Sequence, residues 1–154
     1  MSTLSSSSSS KHPSSARPVL AAVDGSSFSR KVAEVASRIA DAFNLRLALL
    51  HVVEPLTEPM ASRLQLSEQD WIESRLREGQ LVLEELCRDL RLESADRILL
   101  AGPVPETICG EAEDADAEMI VLGAHGHGPV PRIMLGSVGD RVASLATRTV
   151  TIVR

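Results

Sequence analysis

An open α/β domain, one parallel five-stranded sheet with helices on both faces, is the fold class this sequence predicts. Three observations carry the prediction. Five short aliphatic runs do not alternate in polarity, the pattern of strands buried on both faces. Between them, apolar residues recur at three- and four-residue steps, the stripe of amphipathic helices. The fourth run empties into a glycine-rich loop that feeds a further helix, as strands of open α/β sheets do.

The elements follow in order. Residues 1–17 form a serine-rich segment bracketed by Pro13 and Pro18, with too little apolar surface to offset ordering entropy; a disordered tail is expected. Val19–Val23 reads as the first strand, ending at Asp24-Gly25-Ser26-Ser27. Phe28, Val32, Val35, Ile39 and Phe43 then mark a helix capped by Ser26 or Ser27. Arg46–Val53 is the second strand, stopped by Glu54 and Pro55. With Pro55 and Pro59, residues 54–66 are expected to wander.

Ser67 and Asp70 resemble a capping box. Behind them Ile72, Leu76, Gly79, Leu83, Leu86 and Leu90 predict a helix to about residue 92. Gly79 lies on the apolar face, where it costs about 1 kcal/mol against Ala, so close helix–sheet packing is expected there. Arg97–Ala101 is the third strand, and Pro105 opens a short helix reaching Asp114. Met119–Gly123 is the fourth strand, 137–146 the last helix and Thr149–Val153 the fifth strand.

Composition excludes several functions. The 154 residues fit one domain, with two Phe, one Trp and no Tyr, so stacking platforms for single-stranded nucleic acid are lacking. Net charge is −5, and about −7 once Lys11 and Arg17 of the tail are set aside, which makes a poor nucleic-acid binder. No run approaches the ~18 apolar residues of a membrane span. The N-terminus lacks the apolar core of a signal peptide, and Cys87 and Cys109 form no C-x-x-C pair. Buried thiols in a reduced cytoplasm are expected.

Ligands of open α/β sheets bind beyond the carboxyl ends of strands. Two candidate groups fall there: Asp24 and Gly25 after the first strand, and Gly123-Ala-His-Gly126 with Gly136-Ser137 after the fourth. Glycine lets backbone N–H groups approach an anion, and a helix N-terminus adds unpaired donors and partial positive charge. The loop is neither a Walker A motif nor G-x-G-x-x-G, and the only lysines are Lys11 and Lys31. Without a P-loop lysine, phosphate binding with slow hydrolysis or none is the expectation.

The spacing G-x2-G-x9-G-S, between I-V-L-G-A-H-G and L-G-S-V, resembles the nucleotide-binding signature of the universal stress protein family. V-D-G-S-x-x-S-R after the first strand and L-L-H-V-V-E-P at the second support the resemblance, which covers residues 18–154. It implies a Rossmann-like sheet of the adenine nucleotide alpha hydrolase kind, with strand order 3-2-1-4-5. It also implies a stress-response regulator or sensor that binds ATP, AMP or another adenine nucleotide with little or no turnover, Mg²⁺ bridging the phosphates. By that resemblance the Val52 backbone meets adenine, with Ala22 beneath the base and Asp24 near the ribose. Gly123, His125, Gly126 and His127 surround ribose and phosphates, and Gly136, Ser137 and Val138 hold the outer phosphates. A homodimer through Thr149–Val153 is implied as well.

The chain departs from the family pattern at His127, where Arg or Lys is usual. Pro129 and Pro131 remove two N–H donors from the spacer, lowering the expected hold on the outer phosphates. Thr147-Arg148-Thr149 replaces the usual Cys-Pro.

Simpler roles stand beside these. Asp24 also suits a helix cap or turn, and Ser137 an N-cap with Asp140. Arg132 is as well placed for solvent as for phosphate. His125 and His127 form a weak metal pair, and His51 suits packing at a strand end. No catalytic set and no metal site are expected. The rival functions are a dimeric interaction module without nucleotide and a slow ATPase.

Overall fold

The computed structural model describes residues 16–65, 67–126 and 135–154. Its five strands are β1 (Pro18–Ala22), β2 (Arg46–Val53), β3 (Asp96–Ala101), β4 (Met119–Gly123) and β5 (Thr149–Val153). All pair in parallel, in the order β3-β2-β1-β4-β5. The helices are α1 (Ser27–Phe43), α2 (Glu58–Leu64), α3 (Glu68–Leu90), α4 (Val104–Asp114) and α5 (Ser137–Leu145).

The expected sheet is present, and its interior explains why the strand sequences do not alternate. Val19 and Ala21 belong to a core shared with α1 and α3, while Leu20 between them belongs to a second core with α4 and α5. Adjacent residues point to opposite faces, and both faces are buried. Ala33, Ala36 and Ala40 present small side chains where α1 lies against the sheet. Leu20, Leu49, Leu50 and Ile120 are fully buried, each worth about 1.5–3 kcal/mol. The sheet is therefore a stiff floor for whatever lies beyond its carboxyl end.

Three expectations need correction. β1 starts at Pro18 rather than Val19, although the Val23 N–H still reaches the Leu50 carbonyl at 2.9 Å. Residues 54–66 do not simply wander: α2 occupies Glu58–Leu64, with Pro59 in its first turn, where a missing N–H costs nothing. α5 is capped by Gly136, so Ser137 is its first helical residue and not its N-cap.

Other local expectations match. The Ser67 hydroxyl accepts from the Asp70 N–H at 3.1 Å and caps α3. Gly79 allows the close approach expected of it. A Cβ there would lie 2.6 Å from His51 Cδ2 and 2.7 Å from Leu99 Cδ1. Cys87 and Cys109 are both buried, and burial pushes both thiols up from their ordinary range. They are protonated and unreactive at neutral pH. Of the expected tail, residues 1–15 lie outside the described residues. Among the described residues no helix is long and apolar enough to cross a membrane.

Candidate functional site

A cleft of about 520 Å³ opens at the carboxyl end of the sheet. It forms where β1 leads its chain toward α1 on one face while β4 leads toward α5 on the other. Each wall follows from a local feature of the chain.

The β1–α1 loop supplies the first wall. Asp24 Oδ1 accepts from the Ser26 N–H at 2.9 Å and from the Ser29 hydroxyl at 3.1 Å. The Ser29 oxygen in turn accepts from the N–H groups of Asp24 and Gly25, at 3.1 and 3.0 Å. Gly25 has φ +81°, a conformation costly for other residues. Asp24 thus performs the expected turn role, and that role fixes its carboxylate at the cleft.

The glycine loop forms the second wall. A Cβ on Gly126 would lie 2.6 Å from Asp24 Oδ2, so a glycine is needed for the two loops to meet. The Gly136 N–H donates to the Ala124 carbonyl, and the Ala124 N–H to the Val153 carbonyl, each at 2.8 Å. The first intrahelical bond of α5 runs from the Asp140 N–H to the Gly136 carbonyl at 2.9 Å. The N–H groups of Ser137, Val138 and Gly139 precede it and find no acceptor within the helix. They lie at the cleft with the positive end of the helix dipole.

Apolar residues complete the enclosure. Ala22, Leu50 and Val52 from the strands face Val104 and Ile108 of α4. His51 is turned aside: its Nδ1–H donates to the Val23 carbonyl at 2.9 Å and its ring packs on Gly79. That is the packing role expected of it.

The cleft gathers nine of the expected residues: Ala22, Asp24 and Val52 on one side, Gly123, His125 and Gly126 on another, and Gly136, Ser137 and Val138 at α5. His127 lies outside the described residues, as do Pro129, Pro131 and Arg132. The weak metal pair of His125 with His127 therefore falls partly outside them too.

Sequence reasoning missed further lining residues: Ser26, Phe28, Met60, Trp71 and Arg75. The Trp71 indole N–H donates to the Glu54 carbonyl at 3.1 Å, and the Arg75 guanidinium lies 5.6 Å from the indole centroid. Two polar atoms bordering the cleft, Ser26 Oγ and His125 Nδ1, are buried without a hydrogen-bond partner among the described residues. Such atoms are costly unless something meets them. Phe28 packs edge-on against the His125 ring, centroids 5.9 Å apart.

A bed of apolar side chains, a fixed carboxylate, a glycine-lined approach and a helix N-terminus suit a ligand with a flat apolar part, hydroxyls and an anionic end. Known proteins offer a comparison. A family model described as Universal stress protein family matches residues 15–154. A Thermus aquaticus relative, "Universal stress protein in QAH/OAS sulfhydrylase 3'region", is 30% identical over 138 residues, covering 90% of this chain and 98% of the relative. A solved universal stress protein in complex with cAMP superposes with TM-score 0.68 at 21% identity, covering 92% of this chain and 99% of that one. An Archaeoglobus fulgidus universal stress protein in complex with dAMP gives TM-score 0.63 at 22% identity, covering 90% and 98%.

Proposed function

The chain belongs to the universal stress protein family, and on that premise we propose that it is a stress-response regulator or sensor that binds an adenine nucleotide with little or no turnover. The observation that carries the proposal is the single cleft in which Asp24, Val52, the Gly123–Gly126 turn and the start of α5 come together. The complexes of structural neighbours with cAMP and dAMP support an adenine nucleotide as the class of ligand.

In this proposal adenine lies over Ala22 and Val52 against Val104 and Ile108, its edge read by backbone groups. Asp24 accepts from ribose hydroxyls. The N–H groups of Ser137 and Val138, with the Ser137 hydroxyl, take phosphate oxygens. Ser137 is available for this because Gly136 holds the cap position. The cradle fits the group: a side chain at Gly126 would fill the space beside Asp24. ATP would bring Mg²⁺ as a bridge between its phosphates, a role that needs no dedicated protein cage.

Isothermal titration with ATP, ADP and AMP, with and without Mg²⁺, tests the proposal. Binding of at least one nucleotide is expected, and no heat above background at millimolar nucleotide refutes it.

A homodimer through β5 and a cytoplasmic location belong to the same proposal. β5 is an edge strand, β-branched at all five of its positions, Thr149, Val150, Thr151, Ile152 and Val153. An edge of that kind pairs readily with a second copy. Sedimentation equilibrium checks the assembly, with a monomer the contrary result, and cell fractionation checks the location.

A further inference from the structure

We propose that Arg75 is the cation by which this cleft holds the phosphate chain of its nucleotide, in place of the lysine that the glycine loop lacks. The inference rests on the nucleotide reading above. It gives that site a charge partner on α3, the helix that also brings Trp71 to the cleft.

Arg75, Gly79 and Val82 are spaced i, i+4 and i+7, and so share one stripe of α3. Gly79 on that stripe packs on His51. Val82 lies against Gly25: a Cβ on that glycine would meet Val82 Cγ2 at 3.0 Å. The stripe therefore runs over the ends of β2 and β1. Arg75, one turn or about 6 Å nearer the start of the helix than Gly79, carries it past the sheet and into the cleft. The chain direction makes this inevitable, since α3 must begin beyond the carboxyl end of β2 before running back across the sheet.

Arg75 is the only lysine or arginine among the described residues lining the cleft, which also holds the carboxylates of Asp24 and Glu54. A nucleotide phosphate entering there meets two negative side chains, and a guanidinium offsets them while offering a planar fork to phosphate oxygens. Arg75 is held in a way that lets it respond. Its ion pair with Glu78, at 2.5 Å, joins side chains 46% and 57% exposed, a pairing worth little in water. Its other partner is the indole face of Trp71, itself fixed through the Glu54 carbonyl. Trp71 thus stores the guanidinium at the rim without binding it tightly.

The test uses the full chain and titrates ATP, AMP and adenosine into the wild type, Arg75→Ala and Arg75→Lys. ATP affinity is expected to fall about tenfold in Arg75→Ala, while adenosine affinity is unchanged and Arg75→Lys lies between. The chain has one Trp and no Tyr, so its emission reports Trp71. That emission is expected to shift when ATP draws the guanidinium off the indole, and to stay unchanged with adenosine. Equal loss for ATP and adenosine makes Arg75 a contact to the base, and overturns the proposal. Equal ATP affinity in wild type and Arg75→Ala overturns it while leaving the nucleotide site standing. Failure of the wild type to bind any of the three overturns both.

Discussion

The two ends of the sheet are built on opposite principles. At the amino end, charged residues at or next to the starts of the strands answer one another. Arg17 binds Glu118 at 2.6 Å and both the carboxylate and carbonyl of Asp116, at 3.2 and 3.0 Å. Arg148 reaches the same Asp116 carboxylate at 2.9 Å. Arg46 binds Asp96 at 2.6 Å and the Ala16 carbonyl at 2.7 Å. At the carboxyl end glycines replace side chains, a cleft stands open, and Ser26 Oγ and His125 Nδ1 lack partners among the described residues. One end is closed by matched charge; the other keeps donors in reserve. On the nucleotide proposal, binding and the charge clusters that close the fold occupy separate ends of the sheet.

Gly126→Asp is the sharpest way to break that division. It sets a second carboxylate beside Asp24 Oδ2, where even a Cβ would stand at 2.6 Å. Like-charge juxtaposition costs several kcal/mol, so ATP affinity measured by titration should fall about a hundredfold or more. The same clash and repulsion act in the free protein, so urea stability should fall as well, by about 1–3 kcal/mol. Retained affinity would mean that the cleft does not depend on the close approach of its two loops.

Gly79→Ala acts between the two ends. Its Cβ would press on His51 and Leu99, and overpacking of this kind costs about 1–3 kcal/mol. Better helix propensity returns at most about 1 kcal/mol, so a net loss in urea denaturation is expected. A stabilised variant would show that α3 has room to move away from the sheet.

The smallest effect belongs to the amino end. The Arg148 hydrogen bond outweighs the desolvation penalty and holds the Asp116 carboxyl below its usual range, with the Arg17 charge adding to this. A carboxylate lowered on folding contributes stability above its unfolded pKa of about 3.9 and loses that contribution as pH falls through the lower folded value. Asp116→Asn should therefore lose less stability in acid than the wild type, with nucleotide binding untouched. Asn suits the test because Asp116 has φ +49°, which Asn also tolerates. Identical acid profiles would assign the ion cluster no role in stability.

Much of this was readable in the chain, for reasons visible in particular residues. β2, β4 and β5 have the bounds expected from sequence because their aliphatic runs are buried on both faces and end at sharp polar or glycine signals. α2 was missed because Pro55 and Pro59 look like breakers, and only the observed position of Pro59 in the first turn reveals it as a starter. The Gly136 cap was misplaced by one residue because Ser137 is the better capping side chain, whereas backbone geometry decides the helix start. In the site, residues directly after strands were found because strand ends can be read locally. Trp71 and Arg75 were not: periodicity identifies the stripe of α3 that faces the protein, but not where the sheet beneath it stops.

The hydrogen bond from the Gly136 N–H to the Ala124 carbonyl has a consequence for the intervening chain. It brings together two residues twelve positions apart, so the spacer leaves and returns at one fixed point. Ala124 is itself anchored to Val153, and that point belongs to the sheet. The entropy of closing such a loop rises only logarithmically, about 0.6 kcal/mol for each doubling of length. A change of length between Ala124 and Gly136 is therefore expected to cost little closure entropy while the first N–H groups of α5 keep their aim.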